Sequence, residues 1–243
     1  MKAAGRLLAL LLLCVLALQM YFALRIAAMN WIDPASTTFQ RSEAWRLLRD
    51  KGRIDWSQQW VPYAQISPQL KRAVIASEDA GFAAHGGVEW EAIEQARQKN
   101  EIAEARAERA QARRPGSVVA PKVRGGSTIT QQLAKNLFLS GERTVLRKGQ
   151  EYLLTMMLEA LLPKQRILEI YLNSVEWGEG LFGAQAAARH YFHKDAARLG
   201  PEEAARLAVM LPAPKRFEKN PTSAYVAERA ATIQARMAAV TLP

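Results

Sequence analysis

The chain has 243 residues, 49% of them hydrophobic and 23% charged, with 33 Lys and Arg against 23 Asp and Glu and a formal net charge of +10. That composition excludes a disordered tail or a fibre and allows one sizeable domain with an appendage. The cationic excess points to anionic partners such as phosphates or acidic lipid headgroups, and the single cysteine, Cys14, excludes an internal disulfide.

Lys2 and Arg6 precede an apolar run, Leu7 to Leu24, whose one strongly polar residue is Gln19. Arg25 interrupts, and Ile26-Ala27-Ala28-Met29 resumes the apolar character. About 20 such residues cross a bilayer as a helix, and the cationic tip keeps the N-terminus in the cytoplasm. The run exceeds the apolar core of about 7–15 residues in a cleaved signal, and no small-x-small site follows before Trp31. Residues 1–29 are therefore expected to form a cytoplasmic tip and transmembrane anchor, with Tyr21 and Trp31 at the membrane interfaces. Leu13 before Cys14 argues against an acylation site. Residues 30–60 read as a linker and entry segment. It has a turn at Pro34 to Thr38, a short helix from Glu43 to Lys51 stopped by Gly52, and Trp56 and Trp60 as packing residues.

Gln69 to Ala76 predicts a helix with Glu78 at or near its end. The stretch Ala76-Ser77-Glu78-Asp79-Ala80-Gly81-Phe82-Ala83-Ala84-His85-Gly86-Gly87-Val88-Glu89 then gathers three carboxylates, one histidine and three glycines. Adjacent acids cannot share a helix face, and a buried acid must be paired or used. One of Glu78 and Asp79 should therefore face a cleft while structure holds the other. Taken alone, the stretch also reads as a helix end with a glycine stop.

Glu91 to Arg114 is rich in Ala, Glu, Arg and Gln and predicts a solvated helix with Glu–Arg pairs. Pro115-Gly116-Ser117 should break it, and Val118 to Val123 should connect onward, giving a charged insertion near 94–123. Its acids balance its arginines, which argues against nucleic acid. Arg124-Gly125-Gly126-Ser127-Thr128 leads into a helix whose N-terminus would favour phosphate. Further helices are expected over Gln150 to Leu162, Gln165 to Leu172, Ala184 to Phe192, Pro201 to Leu211 and Ala224 to Val240. Almost no alternating strand pattern occurs, so the fold class is mainly α. On these helices Gln132 and Lys135 share a face, as do Arg147 and Glu151. His190-x-x-His193 alone does not make a zinc site, and no metal ligand set is assigned. No Gly-Lys-Ser/Thr, Ser-x-x-Lys or Lys-Thr-Gly occurs, so neither a P-loop nor a penicillin-sensitive transpeptidase signature is present.

Four stretches in order carry a resemblance: 76–89, 124–139, Arg147-Lys148-Gly149-Gln150-Glu151, and Lys164-Gln165-Arg166-Ile167-Leu168-Glu169-Ile170-Tyr171-Leu172-Asn173. Together they resemble the glycosyltransferase family of peptidoglycan polymerases, over roughly Val61 to Arg236. The resemblance implies a lysozyme-like, two-lobed helical glycosyltransferase domain over 61–243, behind one N-terminal transmembrane helix. It implies polymerisation of lipid II into glycan strands by β-1,4 transfer from a polyprenyl-diphosphate-linked donor to the 4-hydroxyl of lipid II. Glu78 matches the catalytic base and Glu151 the second carboxylate. Ser127, Gln132, Lys135, Arg147 and Lys148 match substrate-binding positions, and Asp79, Phe82, His85, Gly126 and Asn173 match structural ones. Glu89 stands where the family commonly has Asp. Arg166 and Glu169 read as a structural pair. The resemblance assigns no definite cofactor, and a divalent cation (Mg or Mn) at the diphosphate stays open. Expected partners are lipid II, the growing strand, the membrane, and cell-wall synthesis or division proteins. The expected location is the bacterial cell inner membrane, single-pass, with the catalytic domain in the periplasm. Two alternatives are a peptidoglycan-cleaving lysozyme-like enzyme and a non-catalytic membrane scaffold.

Overall fold

The computed structural model describes residues 2–113, 126–139, 141–142 and 144–243. The expected break at Pro115-Gly116-Ser117, the connection Val118 to Val123, and Gly125 lie outside the described residues. Helix α1 spans Lys2–Ala28 and is long and apolar enough to cross a membrane. Its apolar side chains from Leu7 to Leu18 are exposed, as a helix solvated by lipid requires.

The remaining helices are α2 (Thr38–Lys51), α3 (Pro68–Glu78), α4 (Trp90–Arg113), α5 (Ile129–Phe138), α6 (Val145–Leu161), α7 (Lys164–Ser174), α8 (Ala184–Phe192), α9 (Pro201–Met210), α10 (Pro214–Phe217) and α11 (Ala224–Met237). One group packs α3, α9 and α11 together; the other packs α5 against α2, α6 and α7, with α1 against α6. A single apolar core runs through both groups and includes Leu70, Ile75, Leu133, Leu158, Tyr171 and Trp177. A small sheet of order β1-β3-β2 joins Ser57–Gln58 (β1), Glu176–Gly178 (β2) and Leu181–Phe182 (β3). β1 pairs with β3 in parallel, and β2 pairs with β3 antiparallel. Strands of two or three residues are too short to show alternation, so the sequence did not announce them.

Helix α2 starts five residues before the expected Glu43. The cause is a capping box: Gln40 N donates to Thr37 Oγ1 at 3.0 Å, and Thr37 N donates to Gln40 Oε1 at 2.8 Å. Gly52 ends the helix as expected, at φ 69°. Residues 30–60 thus supply a packed helix and an edge strand. Trp56 stacks on Phe182 with ring centroids 4.5 Å apart. Helix α4 is largely exposed, and Arg97 lies between Glu94 at 3.4 Å and Glu101 at 3.6 Å. At 24 residues it is roughly 36 Å long.

The second half of α1 is bolted to the globular part. Gln19 and Gln150 exchange two amide hydrogen bonds of 3.1 Å. Phe22 meets Phe138 edge-on at 5.3 Å. Past the helix end, Asn30 donates to the Leu161 carbonyl at 2.9 Å. Arg166 donates to the Met29 carbonyl at 2.7 Å and to Asp33 at 2.6 Å, besides pairing with Glu169 at 3.1 Å. The Arg166–Glu169 pair is structural, and it fixes where the anchor leaves the domain.

Asn173 closes the entry segment onto α7. Val61 N donates to Asn173 Oδ1, and Asn173 Nδ2 donates to the Val61 carbonyl, each at 2.9 Å. Gly183 crosses behind it at φ 81° and ψ 152°, a conformation open essentially to glycine alone. A Cβ there would sit 2.7 Å from the Asn173 carbonyl oxygen. Gly183→Ala should therefore cost about 3 kcal/mol or more from backbone strain and clash together. A thermal melt followed by circular dichroism should show a drop of at least roughly 6 °C. A drop of a degree or less would show that this crossing tolerates a side chain.

Candidate functional site

A cleft of about 640 Å³ runs between α2, α5, α6 and the start of β2, with Leu211, Pro212 and Pro214 closing one side. Ser127, Gln132, Lys135, Arg147, Lys148 and Glu151 all line it. The structure thus gathers the polar positions expected from two separate stretches into one cavity.

Glu78 is the last residue of α3, which Ser67 caps by accepting from Gln69 N at 3.2 Å, with Pro68 in the first turn. The helix stops there because Asp79 leaves helical geometry, with φ −163° and ψ 76°. Glu78 is half-buried and reaches the cleft through Gln132, whose Nε2 donates to Glu78 Oε2 at 2.9 Å. The buried Tyr171 hydroxyl donates to Gln132 Oε1 at 3.0 Å. Tyr171 thus turns the amide so that its NH₂ faces the acid. Burial pushes the Glu78 carboxyl above its ordinary range; the Gln132 hydrogen bond opposes this and the neighbouring Asp79 charge adds to it. Burial, helped by Glu78 and Asp79, also raises the Tyr171 phenol well above 10, keeping it a donor.

Asp79 is buried and braces two segments. Its Oδ1 lies 2.8 Å from His85 Nε2, and its Oδ2 accepts from Ile129 N at 3.0 Å. His85 Nδ1 accepts from Gly87 N at 3.0 Å, so the imidazole proton sits on Nε2 and points at Asp79. Thr128 Oγ1 donates to the Gly87 carbonyl at 2.6 Å and accepts from Gln131 N at 3.2 Å. Phe82 is fully buried in the turn, with the Lys164 ammonium 4.5 Å from its ring centroid. Gly126 is half-buried in the extended lead-in to Thr128. This arrangement corrects one expectation. The N-terminus of α5 does not offer itself to phosphate, because Asp79 and Thr128 already take donors of its first turn. Asp79, His85 and Glu89 also place ligand-type atoms within 4.8 Å of one another. Both imidazole nitrogens and both Asp79 oxygens are committed to the brace, so this donor set does not fit a metal ion.

The anion-attracting wall belongs to α6. Thr144 caps it by accepting from Arg147 N at 3.2 Å. Arg147 Nη1 donates to Glu151 Oε2 at 2.7 Å, and Lys148 pairs with Glu151 Oε1. Glu151 is buried, and Arg147 Nε is buried without a hydrogen-bond partner. Lys135 extends from α5 into the same space and stays exposed to the cleft. Loss of hydration lowers its pKa; Glu151 opposes the shift, and Arg147 and Lys148 reinforce it. Three cations thus surround one carboxylate, leaving net positive charge.

Sequence reasoning missed Glu43 and Glu176, which also line the cleft, beside Lys215. A usable signal existed: Glu176 stands alone between the apolar Val175 and Trp177. Asn173, grouped with the motif residues, serves the Val61 clasp, and Ser127 is the most exposed of the predicted polar positions on the N-terminal side of α5.

The Transglycosylase family model matches residues 48–238. The chain is 54% identical over 228 residues to the biosynthetic peptidoglycan transglycosylase of Burkholderia ambifaria, covering 94% of this chain and 86% of that one. The protein of the same name from Burkholderia vietnamiensis is also 54% identical, with the same coverage. That of Paraburkholderia xenovorans is 50% identical, covering 94% of this chain and 88% of its own.

Removing the Asp79 carboxylate should loosen the brace. Asp79→Ala leaves Ile129 N and His85 Nε2 without their acceptor, each worth about 1–3 kcal/mol when buried. The unfolding midpoint of the detergent-solubilised protein should fall by roughly 4–24 °C. An unchanged midpoint would show that Asp79 braces nothing.

Proposed function

The chain belongs to the transglycosylase family and is a peptidoglycan glycosyltransferase of cell wall biosynthesis; from that premise we propose that Glu78 is the general base that activates the 4-hydroxyl of lipid II toward a polyprenyl-diphosphate-linked strand. The observation that carries this reading is a desolvated carboxylate held by Gln132, a residue that lines the cleft together with the cationic wall. The bond that forms joins the acceptor oxygen to the anomeric carbon of the donor. The bond that breaks joins that carbon to the diphosphate. The hydroxyl proton passes to Glu78, and the electron pair of the broken bond leaves on the diphosphate.

Glu78 suits the base because burial raises its proton affinity, while the hydrogen bonds from Gln132 and Ser77 that oppose the rise leave carboxylate lone pairs free. Lys135, Arg147 and Lys148 hold the diphosphate and meet its growing charge. Glu151 holds Arg147 Nη1 at 2.7 Å and so fixes the guanidinium against the cleft. Glu151 orients the cations. Both of its oxygens are taken up by these cations, so neither is placed to protonate a leaving oxygen, which counts against the peptidoglycan-cleaving alternative. The desolvated Glu78 and the crowded cations count against an inert scaffold. A divalent ion at the diphosphate fits the donor set poorly, because both Glu151 oxygens are taken and three cations already supply the charge.

Helix α1 fits a single-pass anchor. With the cationic tip in the cytoplasm, the catalytic domain lies on the periplasmic face of the inner membrane, beside the lipid tails of both substrates.

Glu78→Gln should abolish strand synthesis while the protein stays folded, because the amide keeps the shape and loses the basicity. In the unaltered protein, kcat/KM should fall as the pH drops through a value above the ordinary carboxylate range, because only the ionised acid accepts the proton. Robust polymerisation by folded Glu78→Gln would remove the assignment.

Lys135→Ala and Arg147→Ala should each lower kcat/KM on labelled lipid II by roughly ten- to a few-hundred-fold. Charge-assisted contacts are worth about 1.5–3 kcal/mol, and about 1.4 kcal/mol is tenfold in rate. Arg106→Ala and Arg109→Ala, on the exposed face of α4, are the controls and should change little. Equal losses in both sets would mean that general basicity toward the membrane, not a diphosphate site, carries the effect.

A further inference from the structure

The cleft carries a second charged cluster that the reaction above does not use. Glu176, the first residue of β2, is 6% exposed and lines the cleft together with Glu43 of α2. The other charges around it have partners. Glu43 accepts from Arg46 Nε at 2.9 Å and pairs with Lys215 of α10. Arg46 also binds Glu179 at 2.7 Å, and Lys51 pairs with the same acid. Glu218, just past α10, accepts from Glu179 N at 2.6 Å. Tyr191 of α8 donates its hydroxyl to the Trp177 carbonyl at 2.9 Å.

Glu176 is the odd member. Its Oε1 is buried and faces the Lys215 ammonium 3.4 Å away, which Glu43 shares, while its Oε2 has no hydrogen bond or ion pair among the described residues. A buried carboxylate left short of donors costs the fold free energy. Burial pushes its pKa up to about 7; Lys215 pulls it down, and Glu43 and Glu218 add to the rise. A side chain that merely completed an ion pair would have a reason to sit closer to Lys215. This one lines the cleft.

We propose that Glu176 is a substrate-binding residue whose unpartnered carboxylate oxygen, Oε2, accepts a hydrogen bond from a donor group on the glycan–peptide part of the substrate, in the cleft that the cationic wall also lines. The donor is a sugar hydroxyl or a peptide ammonium; both bear N–H or O–H groups that satisfy the same oxygen. The assignment rests on the glycosyltransferase reading above and gives the cleft two chemically distinct clusters, one cationic for the diphosphate and one acidic for the saccharide–peptide. Glu43, held by Arg46 and Lys215, fixes the wall beside it.

The test is equilibrium binding of fluorescent lipid II in detergent, read without turnover in a Glu78→Gln background, with and without Glu176→Gln. At pH 8 the double variant should bind about tenfold more weakly, the scale of one charge-assisted hydrogen bond. The gap should close as the pH falls below the Glu176 pKa of about 7, where the protonated acid resembles the amide. Two substrates separate the sources. If the ammonium is the ligand, acetylating the peptide amine weakens binding by the same factor, and Glu176→Gln adds nothing further. If a hydroxyl is the ligand, acetylation leaves the tenfold loss intact.

Stability separates binding from a purely structural role. Ionised Glu176 disfavours the folded state, a cost absent below its ordinary value of 4.5 and complete above about 7. Glu176→Gln should therefore melt at or above the unsubstituted temperature at pH 8 and close to it at pH 4.5. An affinity unchanged at pH 8 for both substrates would overturn the proposal, as would a lowered melting temperature at pH 8 accompanying the weaker binding. The binding comparison decides the subsite even if the unsubstituted protein made no strands, the result that would remove the functional reading instead.

Discussion

The buried carboxylate of Asp79 is the constraint on which the rest of the cleft depends. Helix α3 ends one residue before it, so Asp79 is the first group that can tie that end to anything else. It binds the His85 ring on one side and the first turn of α5 on the other. Helix α5 carries Gln132 and Lys135 one turn further on, so a single side chain sets the register between a helix C-terminus and the helix facing it. Glu78 meets the Gln132 amide because Asp79 cannot let go of Ile129 N without leaving a buried donor bare. The adjacent acids divide their labour for a simple geometric reason: consecutive residues at a helix end point in different directions.

The cleft is also where this chain gives up stability. Glu78 and Glu176 are both pushed toward the protonated form by burial, and Lys135 toward the neutral one. Arg147 Nε and Glu176 Oε1 are buried polar atoms without partners. Elsewhere Arg166, Asn173 and Thr37 all find well-placed acceptors or donors, though the buried Trp177 indole nitrogen, outside the cleft lining, also lacks a partner. Groups held away from their relaxed state in a water-accessible cavity are what a binding site for a charged, hydroxyl-rich substrate needs.

Much of this arrangement is legible in the sequence because the informative residues lie close together along it. Glu78 and Asp79 are adjacent, Arg147 and Glu151 are one turn apart, and Gln132 and Lys135 share a face, so helical periodicity alone brings each group together. The acidic cluster is a different matter. Glu43, Glu176 and Lys215 come from three distant segments, and each reads singly as an ordinary surface charge until the fold brings them into contact. The early start of α2 was visible as Thr37-x-x-Gln40 but was obscured by the neighbouring Thr and Ser residues, which also suit turns. The phosphate reading of the α5 N-terminus failed because periodicity finds a helix end without revealing what already occupies it.

The junction between α1 and the globular domain has a mechanical meaning. A leash of flexible residues would let the domain swivel and tilt over the bilayer. Here the Gln19–Gln150 amide pair blocks rotation about the helix axis, while Arg166 and Asn30 clamp the exit of the chain. Two points of attachment on one rod fix an azimuth as well as an elevation. Each molecule therefore has a heading in the plane of the membrane, and the mouth of its cleft keeps one bearing relative to its own anchor. Substrate diffusing in the lipid must arrive from that side. A nascent polymer leaves along a line that turns only when the whole molecule, mast included, turns in the bilayer.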